Sequence, residues 1–269
     1  MRHQDIDWNE MWQQCCQQKS WPKKDKSAWD KRAASYAKRQ VGGGYARKFI
    51  KMLAPETNWT VLDVGCGPGT IALPLARQVK KITALDFSGE MLNELNKRLA
   101  AEKIINVETR QLSWTDDWQA AGIQPHDITL ASRSMSVTDL GHALEKLNNW
   151  AEKKVFISDR VGSGPFDPDL FQALGRPFDP GPDYIFTINI LYRMGIHPRV
   201  DYILFPQEKL FKNREEAILG CLWMAEELTE EEKPRLEKYV DERLRQNPDN
   251  SVTLTRRTPI KWAIISWDK

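Results

Sequence analysis

Between Val61 and Thr70 the chain reads VLDVGCGPGT, and a second acidic residue, Asp86, closes the next apolar run, KITALD. Glycines at 65, 67 and 69 allow a tight turn whose backbone can approach a ligand with no side chain between them. A carboxylate ending the following strand can accept hydrogen bonds from both hydroxyls of a ribose. The chemistry is nucleotide binding, and the spacing narrows its kind. The dinucleotide fingerprint G-x-G-x-x-G needs a third glycine where Thr70 stands, and no Lys-Ser or Lys-Thr pair follows to make a phosphate loop. Asp63, two residues ahead of Gly65, is suited to a cationic ligand group or to bracing the turn.

The elements that must position these residues alternate. Short apolar runs rich in β-branched residues occur at TVLDVG, KITALD, NVETRQ, DITLAS and KVFISD. Between several of them, Met91, Leu92, Leu95 and Leu99, and then Leu140, Leu144, Leu147 and Ala151, recur at helical spacing. Such alternation predicts an α/β fold, a doubly wound and mostly parallel sheet whose ligands bind at the carboxyl ends of its strands. Helical patterns over Asp5 to Lys19, Ser27 to Arg39 and Tyr45 to Leu53 precede this core. After Asp159 come a Gly/Pro-rich loop, a helix in YIFTINILYRMG, a strand in RVDYILFP, a charged helical stretch from Arg214 to Arg245 and a final strand, IKWAIISW. The expected organisation is one integrated domain with three parts. These are N-terminal helices over 1–55, a cofactor-binding core over 56–160, and a substrate-side loop, remaining strands and helical insertion over 161–269.

LDVGCGPGT and ALDFSGEML together resemble the nucleotide-binding motifs of the class I S-adenosylmethionine-dependent methyltransferases, over roughly Trp59 to Asp159. The resemblance implies a Rossmann-like sheet of seven strands, the last antiparallel and inserted, with N-terminal lid helices and a C-terminal helical insertion. It implies S-adenosylmethionine as cofactor, with Gly65, Cys66 and Gly67 beside its methionine part and Asp63 steering its ammonium. Asp86 would hold the ribose, and Phe87 and Met91 would contact the adenine, with Ser88 capping the next helix. Relatives often carry an acid after strand three to meet the adenine amino group; here Ser113 stands there, so the backbone of Leu112 and Ser113, with Trp114 packed on the ring, is expected to serve instead. Ser132 and Arg133 fall by analogy at the methionine end. SAWDKRAASYAKR resembles the leader helix of these enzymes, from which Tyr36 would reach the cofactor's carboxylate.

Methyl transfer from a sulfonium is an in-line displacement that needs positioning and exclusion of water, and a base only where the acceptor must lose a proton. No catalytic residue is assigned on the sequence. Candidate substrate contacts are Arg133, Asp159 and Arg160 at strand ends, Tyr184 and Tyr192 on the helix after the loop, and His197 in GIHPR at the expected rim. The acceptor is expected to be a small organic molecule. The alternatives are RNA, drawn to the segment from Lys19 to Lys51, where eleven Lys or Arg face only Asp25 and Asp30, or a protein that binds the cofactor without turning it over. The missing Asn/Asp-Pro-Pro-Tyr/Phe motif after strand four speaks against exocyclic-amine methylation of bases. Cysteines 15, 16, 66 and 221 have no zinc-like spacing, so no metal is expected. With no signal-like or bilayer-spanning apolar run, the chain reads as a soluble cytoplasmic protein with no membrane partner.

Overall fold

The strand runs alternate apolar residues on two faces, and each face is buried by a different set of helices. The computed structural model describes residues 5–20, 25–40, 44–225 and 227–269. Strands β1 (Thr60–Val64), β2 (Lys81–Asp86), β3 (Val107–Gln111), β4 (His126–Ser132), β5 (Ala151–Arg160), β6 (Arg199–Leu204) and β10 (Lys261–Asp268) form a seven-stranded sheet in the order β3-β2-β1-β4-β5-β10-β6. The first five are mutually parallel, and β10 runs antiparallel to both β5 and β6. Order reverses between β1 and β4, which opens a crevice at their carboxyl ends.

Val61, Ile82, Ala84, Ile128, Leu130, Phe156 and Ile264 turn to the face covered by α3 (Gly44–Leu53), α4 (Ala72–Ala76) and α5 (Gly89–Ala101). Leu62, Val64, Leu85, Val155, Ile157 and Ile265 turn to the face covered by α1 (Trp8–Gln18), α6 (Leu140–Trp150) and α8 (Tyr184–Arg193). The period of two along the strands and the period near 3.6 along the helices thus meet in one two-sided core. Helix α2 (Lys26–Gln40) lies outside this layer, packed along α5. The three N-terminal helices therefore dock in three places. Lys23, Lys24 and His3 lie outside the described residues.

Two elements differ from the sequence expectation. The Gly/Pro-rich loop contains α7 (Pro168–Leu174), capped by the Asp167 side chain, with Pro168 in its first turn and Gly175 in the left-handed conformation at its end. The insertion between β6 and β10 is not purely helical. Beside α9 (Arg214–Ala225) and α10 (Glu232–Asp241) it carries a three-stranded sheet of β7 (Glu208–Phe211), β9 (Val252–Thr255) and β8 (Leu244–Gln246), in the order β7-β9-β8. These elements and α7 share a separate apolar core of Leu170, Phe171, Phe211, Leu236, Val252 and their neighbours. The chain enters this unit after Leu204 and leaves it at Lys261, residues paired with each other, while Trp262 pairs with Arg160. The unit is therefore rooted at the carboxyl end of β5.

Candidate active site

The glycine turn is built by three different demands. Gly65, Gly67 and Gly69 all have positive φ, at 71°, 54° and 84°. A Cβ on Gly65 would come within 2.4 Å of the Ser134 Cβ, and one on Gly69 within 2.4 Å of Leu95. Around Gly67 a Cβ would meet nothing within 4 Å. Two of the glycines therefore serve packing, against the end of β4 and against α5. Gly67 alone faces open space.

Beneath the turn, Asp86 and Asp63 behave oppositely. Asp86 accepts a hydrogen bond from the Gly67 amide at 2.8 Å and another from the Ser88 amide at 2.9 Å. The second-strand acid is thus the brace of the glycine turn, a role the sequence suggested for Asp63. A carboxylate has about four acceptor positions, so two remain for a ligand. Asp63 is fully buried and neither of its oxygens has a hydrogen-bond partner. Burial, with Asp86 nearby, pushes its carboxyl up to about 8. Burial likewise lifts Asp86, against the two amides that pull it down, and the Cys66 thiol. A buried carboxylate without a partner beside an open glycine cradle is suited to a cationic group. The residues present fit the ammonium-bearing end of S-adenosylmethionine.

On the ribose side, Ser88 caps α5 by accepting from the Met91 amide at 3.1 Å, as the sequence predicts, and Met91 is buried. Phe87 is half-buried, and its carbonyl accepts from Gln111 Nε2 at 3.1 Å. The Leu112 amide is taken by the Asp86 carbonyl at 3.1 Å and the Ser113 amide by Asp116 at 2.7 Å, so neither is a free donor for an adenine. An adenine amino group needs an acceptor, so the occupied amides leave the expectation for the Leu112 and Ser113 backbone resting on their carbonyls. The Ser113 carbonyl accepts from Trp118 Nε1 at 2.9 Å, and Trp114 packs near Trp118 with ring centroids 5.9 Å apart.

At the ends of β4 and β5 the centre is Tyr45, which the sequence analysis did not single out. Its hydroxyl hydrogen bonds to Ser132 Oγ at 2.8 Å and Ser158 Oγ at 2.5 Å, and the Arg133 guanidinium lies 4.2 Å from its ring centroid and 5.8 Å from that of Trp262. Burial pushes the Tyr45 phenol up, while Arg133 and the two serines pull it down. Arg133 is held at a positive φ of 58°, its amide donating to Ser158 Oγ at 3.0 Å. Strained backbone of this kind collects at functional sites. Tyr36 meets Trp29 edge-on across α2 and lies close enough to Tyr45 to raise its phenol slightly. The signal for Tyr45 was its place opening the strongly amphipathic α3, where a buried tyrosine must find polar partners.

The remaining candidates separate. Asp159 is buried on the α8 side, accepting from the Arg160 amide at 2.7 Å and from Thr187 at 2.9 Å, with burial lifting its carboxyl to about 6. Arg160 donates to the carbonyls of Pro180 and Pro182, so its guanidinium ties down the loop rather than reaching for a substrate. Tyr184 hydrogen bonds to Tyr202 at 3.0 Å near the sheet edge. Tyr192 and His197 pack against each other, centroids 5.4 Å apart, before β6 begins. Through β10, Arg199 is level with Phe156 and Ile203 with Arg160, so His197 stands at the amino end of the sheet, opposite the glycine turn. The expectation that Tyr192 and His197 border the site is corrected: α8 runs back down the sheet and carries them away. Among the described residues no helix is long and apolar enough to cross a membrane.

Comparison with known proteins agrees with this geometry. A family model described as a methyltransferase domain matches residues 61–153. An uncharacterized protein of Haemophilus influenzae is 33% identical over 244 residues, 89% of this chain and 88% of that protein. Aklanonic acid methyltransferase of Streptomyces sp. is 26% identical over 169 residues, 61% of this chain and 73% of its own. A putative methyltransferase from Bacillus halodurans has the same fold, with a TM-score of 0.58 at 15% identity, covering 84% of this chain and 99% of that one. The fold is thus shared with a solved structure of this kind and the glycine-turn core lies inside the matched methyltransferase domain, and the chain belongs to the class I S-adenosylmethionine-dependent methyltransferases, with S-adenosylmethionine as its methyl donor.

Proposed function

We propose that this enzyme methylates a small organic molecule at the carboxyl ends of β4, β5 and β10. The observation that carries the reading is the enclosure of that end. Tyr45 is buried against Ser132, Ser158 and Arg133, and Arg160 draws the 180–182 loop across β5. The α7–α10 unit is rooted at the same edge. Elements folded over this end suit an acceptor small enough to be enclosed rather than a polymer lying across an open surface. Aklanonic acid methyltransferase, whose name gives a small-molecule substrate, supports the same reading.

In this scheme Asp63 holds the cofactor's ammonium, Gly67 leaves room for its methionine backbone in the turn that Gly65 and Cys66 shape, and Asp86 accepts from its ribose. Met91, Phe87, Leu112 and Trp114 flank its base, and Ser132 and Tyr36 border its carboxylate end. The cofactor supplies an activated methyl group. The protein orients the acceptor and excludes water, and the Tyr45 and Trp262 rings hold the Arg133 guanidinium in place. Arg133 is the candidate contact for the acceptor; Asp159 and Arg160 act behind it by fixing the loop.

The test is transfer of labelled methyl groups from S-adenosylmethionine into a fractionated cell extract. Label in nuclease-resistant material of low molecular weight is expected. Label that sediments with RNA and disappears with ribonuclease would overturn the small-molecule reading in favour of a polymer drawn to the basic N-terminal segment.

A further inference from the structure

The helix α2 is joined to α5 at two points, and both lead into the cofactor residues. At one end Asp30 Oδ1 accepts a hydrogen bond from Ser88 Oγ at 2.5 Å and a longer one from the Glu90 amide at 3.4 Å. Ser88 in turn caps α5 and donates its amide to Asp86. At the other end the Arg98 guanidinium donates through one nitrogen to the Ala37 carbonyl of α2 and through another to the Pro68 carbonyl at 3.2 Å, inside the glycine turn. Asp30 and Ala37 are seven residues apart, about 10 Å along a helix axis. Tyr36 lies on α2 between these points.

We propose that Asp30 and Arg98 are positioning residues that clasp α2 over the cofactor and set how long it stays bound. The inference rests on the cofactor lying between Asp63 and Asp86, and it assigns neither residue to the chemistry. Physically, each contact pairs a charged group with a neutral partner, a class of hydrogen bond stronger than a neutral pair. One Arg98 guanidinium serves lid and turn together, so a lid that lifts also loosens the loop carrying Gly67. Asp30 is also one of only two acids facing eleven bases between Lys19 and Lys51, an isolated charge that solvation of a basic face does not explain.

The test measures binding of S-adenosylhomocysteine by titration calorimetry, and its dissociation rate by stopped-flow tryptophan fluorescence. Wild type is compared with Asp30→Ala, Asp30→Asn and Arg98→Ala. Losing one charged hydrogen bond at a helix start weakens binding by about ten-fold, and the clasp requires that loss to appear as faster dissociation with association unchanged. Asp30→Asn keeps an oxygen that accepts from Ser88 but loses the charge, and is expected to fall between wild type and Asp30→Ala. Hydrogen exchange over 26–40 in the bound protein is expected to rise in Asp30→Ala, and far-ultraviolet dichroism confirms that each variant is folded. A wild type that binds while Asp30→Ala binds equally well overturns the clasp alone. A loss in Asp30→Asn as large as in Asp30→Ala, or one confined to the association rate, overturns it too, since the oxygen that accepts from Ser88 would then count for nothing. A wild type that does not bind S-adenosylhomocysteine refutes the cofactor placement and takes the clasp with it.

Discussion

Asp63 stores an electrostatic penalty that the cofactor should relieve, so Asp63→Asn is expected to make the empty protein more stable while abolishing cofactor binding. The carboxyl stands at about 8 against an ordinary 3.8 because it is fully buried, with Asp86 adding a smaller push. A raised carboxyl contributes its full stability below the unfolded value and loses it as pH climbs toward the folded one. Each pH unit within that window corresponds to about 1.4 kcal/mol. For a chain of this size that slope amounts to about 3 °C in Tm per pH unit while the cleft stays dry, and water entering the open crevice makes it shallower. Asn does not titrate, so the difference in Tm between the two proteins isolates Asp63.

The assay is a thermal scan of both proteins from pH 5 to pH 7.5, with and without S-adenosylhomocysteine. Without ligand the gap should widen steadily toward high pH, in favour of Asp63→Asn. With ligand at 100 times its Kd the wild type should gain about 2.7 kcal/mol and so narrow the gap, while the variant should not respond. Binding to wild type should also strengthen from pH 6 to pH 7.5, because Asp63 must surrender its proton to meet an ammonium. A gap that stays flat with pH, or equal stabilisation of both proteins by the ligand, refutes the argument.

Two further perturbations separate binding from folding. Gly67→Ala should lower S-adenosylhomocysteine affinity more than ten-fold at a folding cost of about 1 kcal/mol, because its Cβ meets only open space. Gly69→Ala should instead cost about 1–3 kcal/mol in a urea titration, because its Cβ lands 2.4 Å from Leu95. In the α7–α10 unit, Asp167 is buried, accepts a hydrogen bond from Tyr239 at 2.7 Å and forms an ion pair with Arg256 at 3.0 Å, while Arg256 also holds the carbonyls of Pro165 and Phe166. Arg256→Ala should destabilise that unit by about 3–5 kcal/mol, seen as an earlier unfolding step in hydrogen exchange over 208–255.

What the sequence made legible was whatever repeats over short spans. The strands of the parallel core, the Ser88 cap and the glycine turn each follow from local spacing, and each stands where that spacing puts it. Helix α7 was equally local, with Asp167, Pro168 and Gly175 marking its ends, but the surrounding glycines and prolines disguised it. The small sheet was illegible for another reason. Its strands are three or four residues long, too short for a period to register, and β7 pairs with β9 across the stretch that holds α9 and α10.

The site divides along the same line. Asp63 and Asp86 announce themselves through their distance from the glycines, yet which of them braces the turn depends on the direction of a buried side chain. Asp86 sits on the strand beside β1 and reaches the Gly67 amide, while Asp63, on β1 itself, lies under the turn and finds no donor. Tyr45, Asp30 and Arg98 act across 87, 58 and 61 residues of sequence, where no local spacing reports them. His197 went astray through the converse error. Its neighbours Gly195 and Pro198 imply a turn, but not at which end of the sheet that turn lies, and only the ten-residue length of α8 settles that it has run back to the far side. A glycine turn carries its own address because the strand before it fixes the edge it occupies. A turn after a helix inherits its edge from the helix's length, and that is the quantity to count before placing a residue in a site.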